Sequence, residues 1–593
     1  MRLKEVAKRM TKKDPTCIGK VRHVLGSTIT VALDFDLAGV APIYRGRLQP
    51  IGQIGSLVRI PQGLVDLIAT VNLVGIAELA GPLAPADAVQ SDERWLQIQL
   101  LGEIDRVTGR FQRGVGTYPG LDPVHFATPD ELRSVFPPPD DEHVRLGNLA
   151  SAEEVPVSLN ASALVVRHSA VVGSTGSGKT SAVASLMQAF VNGGWSASNI
   201  VVVDPHGEYA HALKDNASVR SVLAGGDDRL RVPYWALPAS DIVRIFAGTP
   251  GGATFASRFT ELVVEARRKF VEDADWLTLD PTTVTADTPV PFDIRPIWLI
   301  LDSENRETRT NKSDPTTTTQ TNPGDSATLH AAEFVPYGPG GEPPHQGPMY
   351  GVHGTAPDLL RLGLLNPQLR FFQEPLGDPK GKDPLVDVMR EWLGKEKPIS
   401  VLDFSGVPSE AADVAIGVVL NLLFEVALRG KPGGKGIGRP SPVLVVLEEA
   451  HRYLGDGASS LTRNSANRIA REGRKYGIGL MLVTQRPTEL PKTALAQCGT
   501  IIALRLSNSD DQGTIKSALP DAVSGLAAVL PSLRTHEAII SGEAVVLPAR
   551  ACLDDPNPWP QAEDPSLKPW RQDPHLPDIG PALASWRGTY EEE

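Results

Sequence analysis

Eight consecutive residues, Gly173, Ser174, Thr175, Gly176, Ser177, Gly178, Lys179 and Thr180, satisfy the spacing G-x-x-x-x-G-K-[ST]. Glycines at these positions let backbone N–H groups turn inward around phosphates, and the positive end of a following helix adds to the field. Lys179 is placed to reach the β- and γ-phosphates of ATP, and the Thr180 hydroxyl to ligate Mg²⁺, with Ser181 completing the binding set. A second pair able to do chemistry is Glu448 and Glu449, which end the apolar run of "VLVVLEEAH". The first carboxylate is placed to hold Mg²⁺ through its water shell, the second to orient or deprotonate the attacking water. Most such motifs carry Asp at the first position; the longer Glu448 suits an outer-shell role.

These groups need elements to hold them. The loop follows the apolar "SAVV" and precedes "SAVASLMQAFV", whose apolar residues recur at helical spacing, so strand, loop and helix N-terminus are expected in that order. "NIVVVDPHGEY", "PVLVVLEEAH", "GIGLMLVTQRP" and "GTIIALRLSN" read as further strands, and "AADVAIGVVLNLLFEVALRG" as a helix. Continuous apolar runs alternating with helices suit parallel strands buried on both faces of an α/β sheet. Upstream, residues ~15 to ~135 read as short Val/Ile/Leu-rich strands separated by Gly and Pro, the pattern of a small β-barrel or sandwich. The expected division is a barrel over 1–150, a nucleotide-binding α/β domain over 151–552 and a Pro/Trp-rich tail over 553–593. The Pro/Gly/Thr-rich stretch at about 303–350 is expected to be a mobile insertion.

A chain of 593 residues is too long for one core, and its 41% apolar and 22% charged composition is ordinary for a soluble protein. A net charge of −12 argues against DNA coating the whole surface, while leaving room for a local basic channel. Three cysteines without metal-ligand spacing read as free thiols, and "MRLKEVAKRMTKKDP" lacks the apolar core of a secretory signal, so a cytoplasmic location is expected.

Taken in order, "HSAVVGSTGSGKT", "VVVDPHGEY", "VLVVLEEAHRY", "NRIAREGRKYGIGLMLVTQRP" and "GTIIALRLSNSDD" resemble the HerA family of hexameric DNA-translocating ATPases, in the FtsK–HerA branch of P-loop proteins. The resemblance covers about residues 15–550 and implies a RecA-like P-loop ATPase core behind a small barrel. It implies that Asp204 and Glu208 serve the nucleotide site and that Gln485 senses the γ-phosphate or orients the attacking water. It places an arginine finger acting on the neighbouring subunit in "REGRK", with Arg474 preferred over Arg471. A finger in trans requires a ring. Arg463 and Asn464 are candidates for a pore loop gripping double-stranded DNA. The resemblance also implies a nuclease or sirtuin-like NAD-hydrolase docking on the barrel, in DNA processing or antiphage defence. Separately, the prolines of 553–593 and its Trp559, Trp570 and Trp586 lead us to expect an extended tail that braces neighbouring subunits. The alternative is a ring scaffold that organises an effector without processive translocation. A nucleotide kinase is disfavoured by the full motif series, and an ABC-type transporter by the lack of an "LSGGQ"-like stretch.

Overall fold

In the computed structural model the described residues are 14–34, 43–44, 47–48, 52–75, 94–248, 251–394, 397–455, 457, 459–520, 523–561, 567–571 and 578–587. Residues 1–13 of the basic N-terminal stretch therefore lie outside them. Seven strands form the first sheet: β1 (Cys17–Leu25), β2 (Thr28–Leu33), β3 (Leu57–Gln62), β4 (Val65–Gly75), β5 (Trp95–Asp105), β6 (Phe111–Arg113) and β7 (Pro123–Phe126). Their order is β2-β1-β7-β3-β4-β5-β6, and pairing of β2 with β5 closes six of them into a barrel. Strict alternation drives the closure: along β5 every second residue, Leu96, Ile98 and Leu100 among them, is buried inside.

The second sheet has eleven strands: β8 (His143–Leu149), β9 (Ala152–Asn160), β10 (Ser169–Val172), β11 (Asn199–Asp204), β12 (Ala217–Ser221), β13 (Ile399–Asp403), β14 (Val443–Leu447), β15 (Ile478–Thr484), β16 (Thr500–Ala503), β17 (Glu537–Gly542) and β18 (Ala549–Leu553). The order is β9-β8-β18-β17-β16-β10-β15-β14-β11-β13-β12. The seven strands from β16 to β12 run parallel, and the other four join antiparallel. Every residue of β10, β14 and β15 is buried, as their unbroken apolar sequences require of strands covered on both faces. β8 hydrogen-bonds to β18 in this sheet, so the barrel ends before His143, short of the boundary drawn at 150.

Between β12 and β13 the chain leaves the strand–helix alternation for helices at Ala239–Ala247, Ala253–Asp273, Ile294–Arg306, Ala356–Leu365 and Pro384–Trp392. Here lies a correction. The stretch at 303–350 is folded rather than a loose insertion. Small ladders pair Thr308 with Gln346 and Gln320 with Phe334, and Leu329 and Ala332 are buried in the core. Asp314, Asp325 and Asn311 carboxylates and amides accept nearby backbone N–H groups, so the polar composition itself supplies the turns. The helix Ser409–Arg429 is long and apolar enough to cross a membrane, but its apolar residues pack in the core against the helix Ser460–Tyr476.

Candidate active site

Parallel pairing decides what meets what. Val172 lies level with Thr484, Leu447 with Leu482, and Val203 with Leu447, so β10, β15, β14 and β11 end together. Residues beyond those ends share one edge of the sheet, where α/β sheets place ligand groups. From β10 emerges the 173–180 loop; from β15, Gln485; from β14, Glu448 and Glu449; from β11, the turn carrying Glu208.

The loop is held by its neighbours. Gly173 N–H donates to Thr484 O at 3.3 Å and Ser174 N–H to Arg505 O at 2.8 Å. Thr175 donates its hydroxyl to Gln485 Oε1 at 2.7 Å, which places Gln485 against the phosphate loop. Gly176 and Gly178 have φ of +72° and +96°, values that favour glycine. A Cβ on Gly178 would also lie 2.3 Å from the His536 ring, so no larger residue fits there. The helix Lys179–Asn192 starts immediately afterwards, directing its first N–H groups into the loop. The Ser177 hydroxyl is buried without a partner. Lys179 is buried and its ammonium donates to Ser174 O at 3.4 Å, while Ser181 continues the first turn.

Glu448 is 3% exposed and accepts the Tyr209 hydroxyl at 2.6 Å. Burial pushes its carboxyl well above the usual range; the Tyr209 hydrogen bond opposes this, and the Glu449 charge adds to it. Glu449 behaves in the opposite way. Burial raises it, but the imidazole of His451 and the charges of Lys179 and His206 outweigh burial and hold it below the usual range. Its Oε2 lies 3.1 Å from His451 Nδ1, yet has no aligned hydrogen-bond partner. That oxygen therefore keeps acceptor capacity to spare. Glu449 also sits at φ +51°, a strained conformation for a side-chain-bearing residue. Two adjacent carboxylates pushed in opposite directions are suited to separate roles.

Asp204 is fully buried, and its two oxygens accept the N–H groups of His206, Gly207 and Tyr209. It anchors the turn, and that turn presents Glu208, whose carboxylate accepts the Thr180 hydroxyl at 2.9 Å. Arg474 and Arg471 are exposed on the helix Ser460–Tyr476 and line a cavity of about 520 Å³ with Arg167, Lys475 and Glu543. None of the 173–180 residues lines it, so the structure does not bring Arg474 to its own phosphate loop. In the pore-loop stretch residues 456 and 458 lie outside the described residues; Asn464 is exposed and Arg463 half-buried in the first turn of the helix Ser460–Tyr476. Arg468 is spoken for, paired with Glu425 at 2.5 Å and packed over Phe424.

Sequence reasoning missed Tyr209, His451, Arg505 and His536. Arg505 donates to Gly176 O at 3.2 Å, and Ser507 N–H to Ser174 Oγ at 3.0 Å. Their place just beyond β16, the strand flanking β10, is the signal that could have found the last-named pair of contacts.

Phosphate loop, strand order and the carboxylate pair define the chain as a P-loop nucleoside-triphosphatase fold with a barrel in front. Family models described as "Helicase HerA, central domain" and "Helicase HerA-like C-terminal" match residues 144–331 and 386–546. The chain belongs to the HerA helicase family. It is 27% identical to the DNA double-strand break repair helicase HerA of Sulfolobus acidocaldarius, over 80% of this chain and 81% of that protein. To the protein of the same name from Pyrococcus furiosus it is 23% identical, over 78% of this chain and 77% of that one. Among solved structures, VirB4 of Thermoanaerobacter pseudethanolicus aligns at TM-score 0.45 and 12% identity, over 70% of this chain and 97% of that chain.

Proposed function

We propose that this chain hydrolyses ATP with Mg²⁺ and couples the turnover to movement along double-stranded DNA, as a ring of six subunits. The observation that carries the reading is the convergence of the phosphate loop, Gln485, Glu448 and Glu449 at one sheet edge, with the candidate finger held elsewhere. Relatives named DNA double-strand break repair helicase support the coupling to DNA.

The residues fit the groups proposed for them. The unpartnered Ser177 hydroxyl and Glu449 Oε2 are buried acceptors with capacity to spare. Thr180, now donating to Glu208, and Glu448 through water would hold Mg²⁺, which when bound neutralises charge on the phosphate oxygens. Lys179 and the loop N–H groups bind the phosphates. Glu449, kept ionised, takes the proton of the attacking water, and Gln485, fixed on Thr175, orients that water. Asp204 acts as a positioning residue by fixing the Glu208 turn.

Arg474 then serves the neighbour. In mixed rings, Lys179→Ala subunits supply an intact Arg474 to the intact loop of Arg474→Ala subunits. An equal mixture completes about a quarter of its sites, so two inactive proteins should regain phosphate release on mixing. Rings that form and stay inactive at every ratio would contradict the trans assignment.

A nuclease or NAD-hydrolase partner on the barrel completes the reading. Leu25, Leu64, Val107 and Leu121 are all more than 70% exposed on or beside its strands and turns, offering apolar contact area. The exposed Trp570 and Trp586 of the tail support a brace against neighbouring subunits.

A further inference from the structure

Beyond β18 the chain doubles back over its own phosphate site. Asp554 pairs with Arg145 at 2.6 Å, and Asp555 lies 2.8 Å from His536 Nδ1. Asn557 N–H donates to Gln188 Oε1 at 2.8 Å, and Gln188 Nε2 donates to Pro558 O at 2.9 Å. Gln188 belongs to the helix that begins at Lys179. His211 Nδ1 lies 3.0 Å from Trp559 O. Gln561 N–H donates at 3.0 Å to the carbonyl of Glu208, the residue that accepts the Thr180 hydroxyl. Pro556 and Pro560 are buried. Residues 554–561 are thus strapped to the phosphate-loop helix and to the Glu208 turn of the same chain.

The strap delivers an aromatic side chain to a defined place. The His536 ring sits against Gly178, and His536 N–H donates to Ser177 O at 3.3 Å. Trp559 stacks on that imidazole, with ring centroids 5.3 Å apart and planes 29° from parallel, and it remains 46% exposed. Other side chains hydrogen-bonded to the loop, Gln485, Arg505 and Glu208, are polar and suit phosphates and their cation. A nucleotide whose phosphates occupy this loop has its base one ribose away, and an aromatic face at that distance gains by stacking on it.

We propose that Trp559, stacked on His536 beside Gly178, is the platform for the base of the bound nucleoside triphosphate, so that the chain's own tail closes the base side of the site. This rests on the reading of the 173–180 loop as a nucleotide site. Stacking discriminates poorly among bases because every base has a π-face, so adenine and guanine nucleotides should depend on Trp559 alike.

Calorimetric titration of the full-length protein with Mg²⁺ separates base from phosphates, using ATP, GTP and inorganic tripolyphosphate. Trp559→Ala should weaken ATP and GTP about tenfold each and leave tripolyphosphate unchanged, while Trp559→Phe stays near wild type. Unchanged or tighter ATP binding by Trp559→Ala would overturn the platform. So would an equal loss of tripolyphosphate, which would make Trp559 a support of the phosphate cradle. A wild-type protein that bound neither ATP nor tripolyphosphate would instead sink the nucleotide site itself.

Discussion

Glu449→Gln should bind ATP with near wild-type affinity and lose turnover by about 10² to 10⁴-fold. The substitution keeps size, backbone and hydrogen-bonding reach at a position already strained at φ +51°. What it removes is the negative charge that His451, Lys179 and His206 hold in place against burial. The phosphate loop is untouched, because its contacts run to Thr484, Arg505 and Gln485 rather than to Glu449. Steady-state phosphate release beside equilibrium ATP binding reads both effects. Wild-type turnover in this variant would show that the base is another group.

Lys179→Ala should fail one step earlier. Loss of the buried ammonium removes a charge-assisted donor to the β- and γ-phosphates, an effect of about 10² to 10³-fold on turnover. Affinity should fall with it, since the same contact holds the ground state. The pair of variants therefore separates binding from chemistry: one carries ATP and stalls, the other barely carries it. An Lys179→Ala protein that bound and hydrolysed ATP normally would place the phosphates outside the 173–180 loop.

How much of this was legible beforehand follows from how local each feature is. The phosphate loop is eight contiguous residues between a strand and a helix, so its chemistry and context were readable together. Glu448, Glu449 and Gln485 stood out because each ends a buried apolar strand, and parallel register then brings them level with Val172. The strands of the first domain were readable from Val/Ile/Leu-rich runs set off by Gly and Pro, whereas their closure into a barrel rests on the long-range pairing of β2 with β5. Contacts that exist only in three dimensions were not. Tyr209 reaches Glu448 across 239 positions of sequence, and His536 meets Gly178 through a strand whose own sequence carries no phosphate-binding pattern. The stretch at 303–350 was misread for a different reason: its turns are held by Asp, Asn and Thr hydrogen bonds, which leave no hydrophobic period to detect. Asp204 was read as a ligand group, and its oxygens turn out to be taken by three backbone N–H groups.

The central claim is that ATP turnover moves this protein along duplex DNA. Displacement of a labelled third strand from a triplex placed on a long duplex tests it most directly, because stripping the strand needs motion along the duplex and not its opening. The wild-type ring should release the third strand with ATP and Mg²⁺, with ATP turnover stimulated by duplex, while Glu449→Gln binds the same DNA and releases nothing. ATP turnover indifferent to duplex, with the third strand left in place by a ring that is assembled and active, would contradict the account and leave a scaffold in its stead.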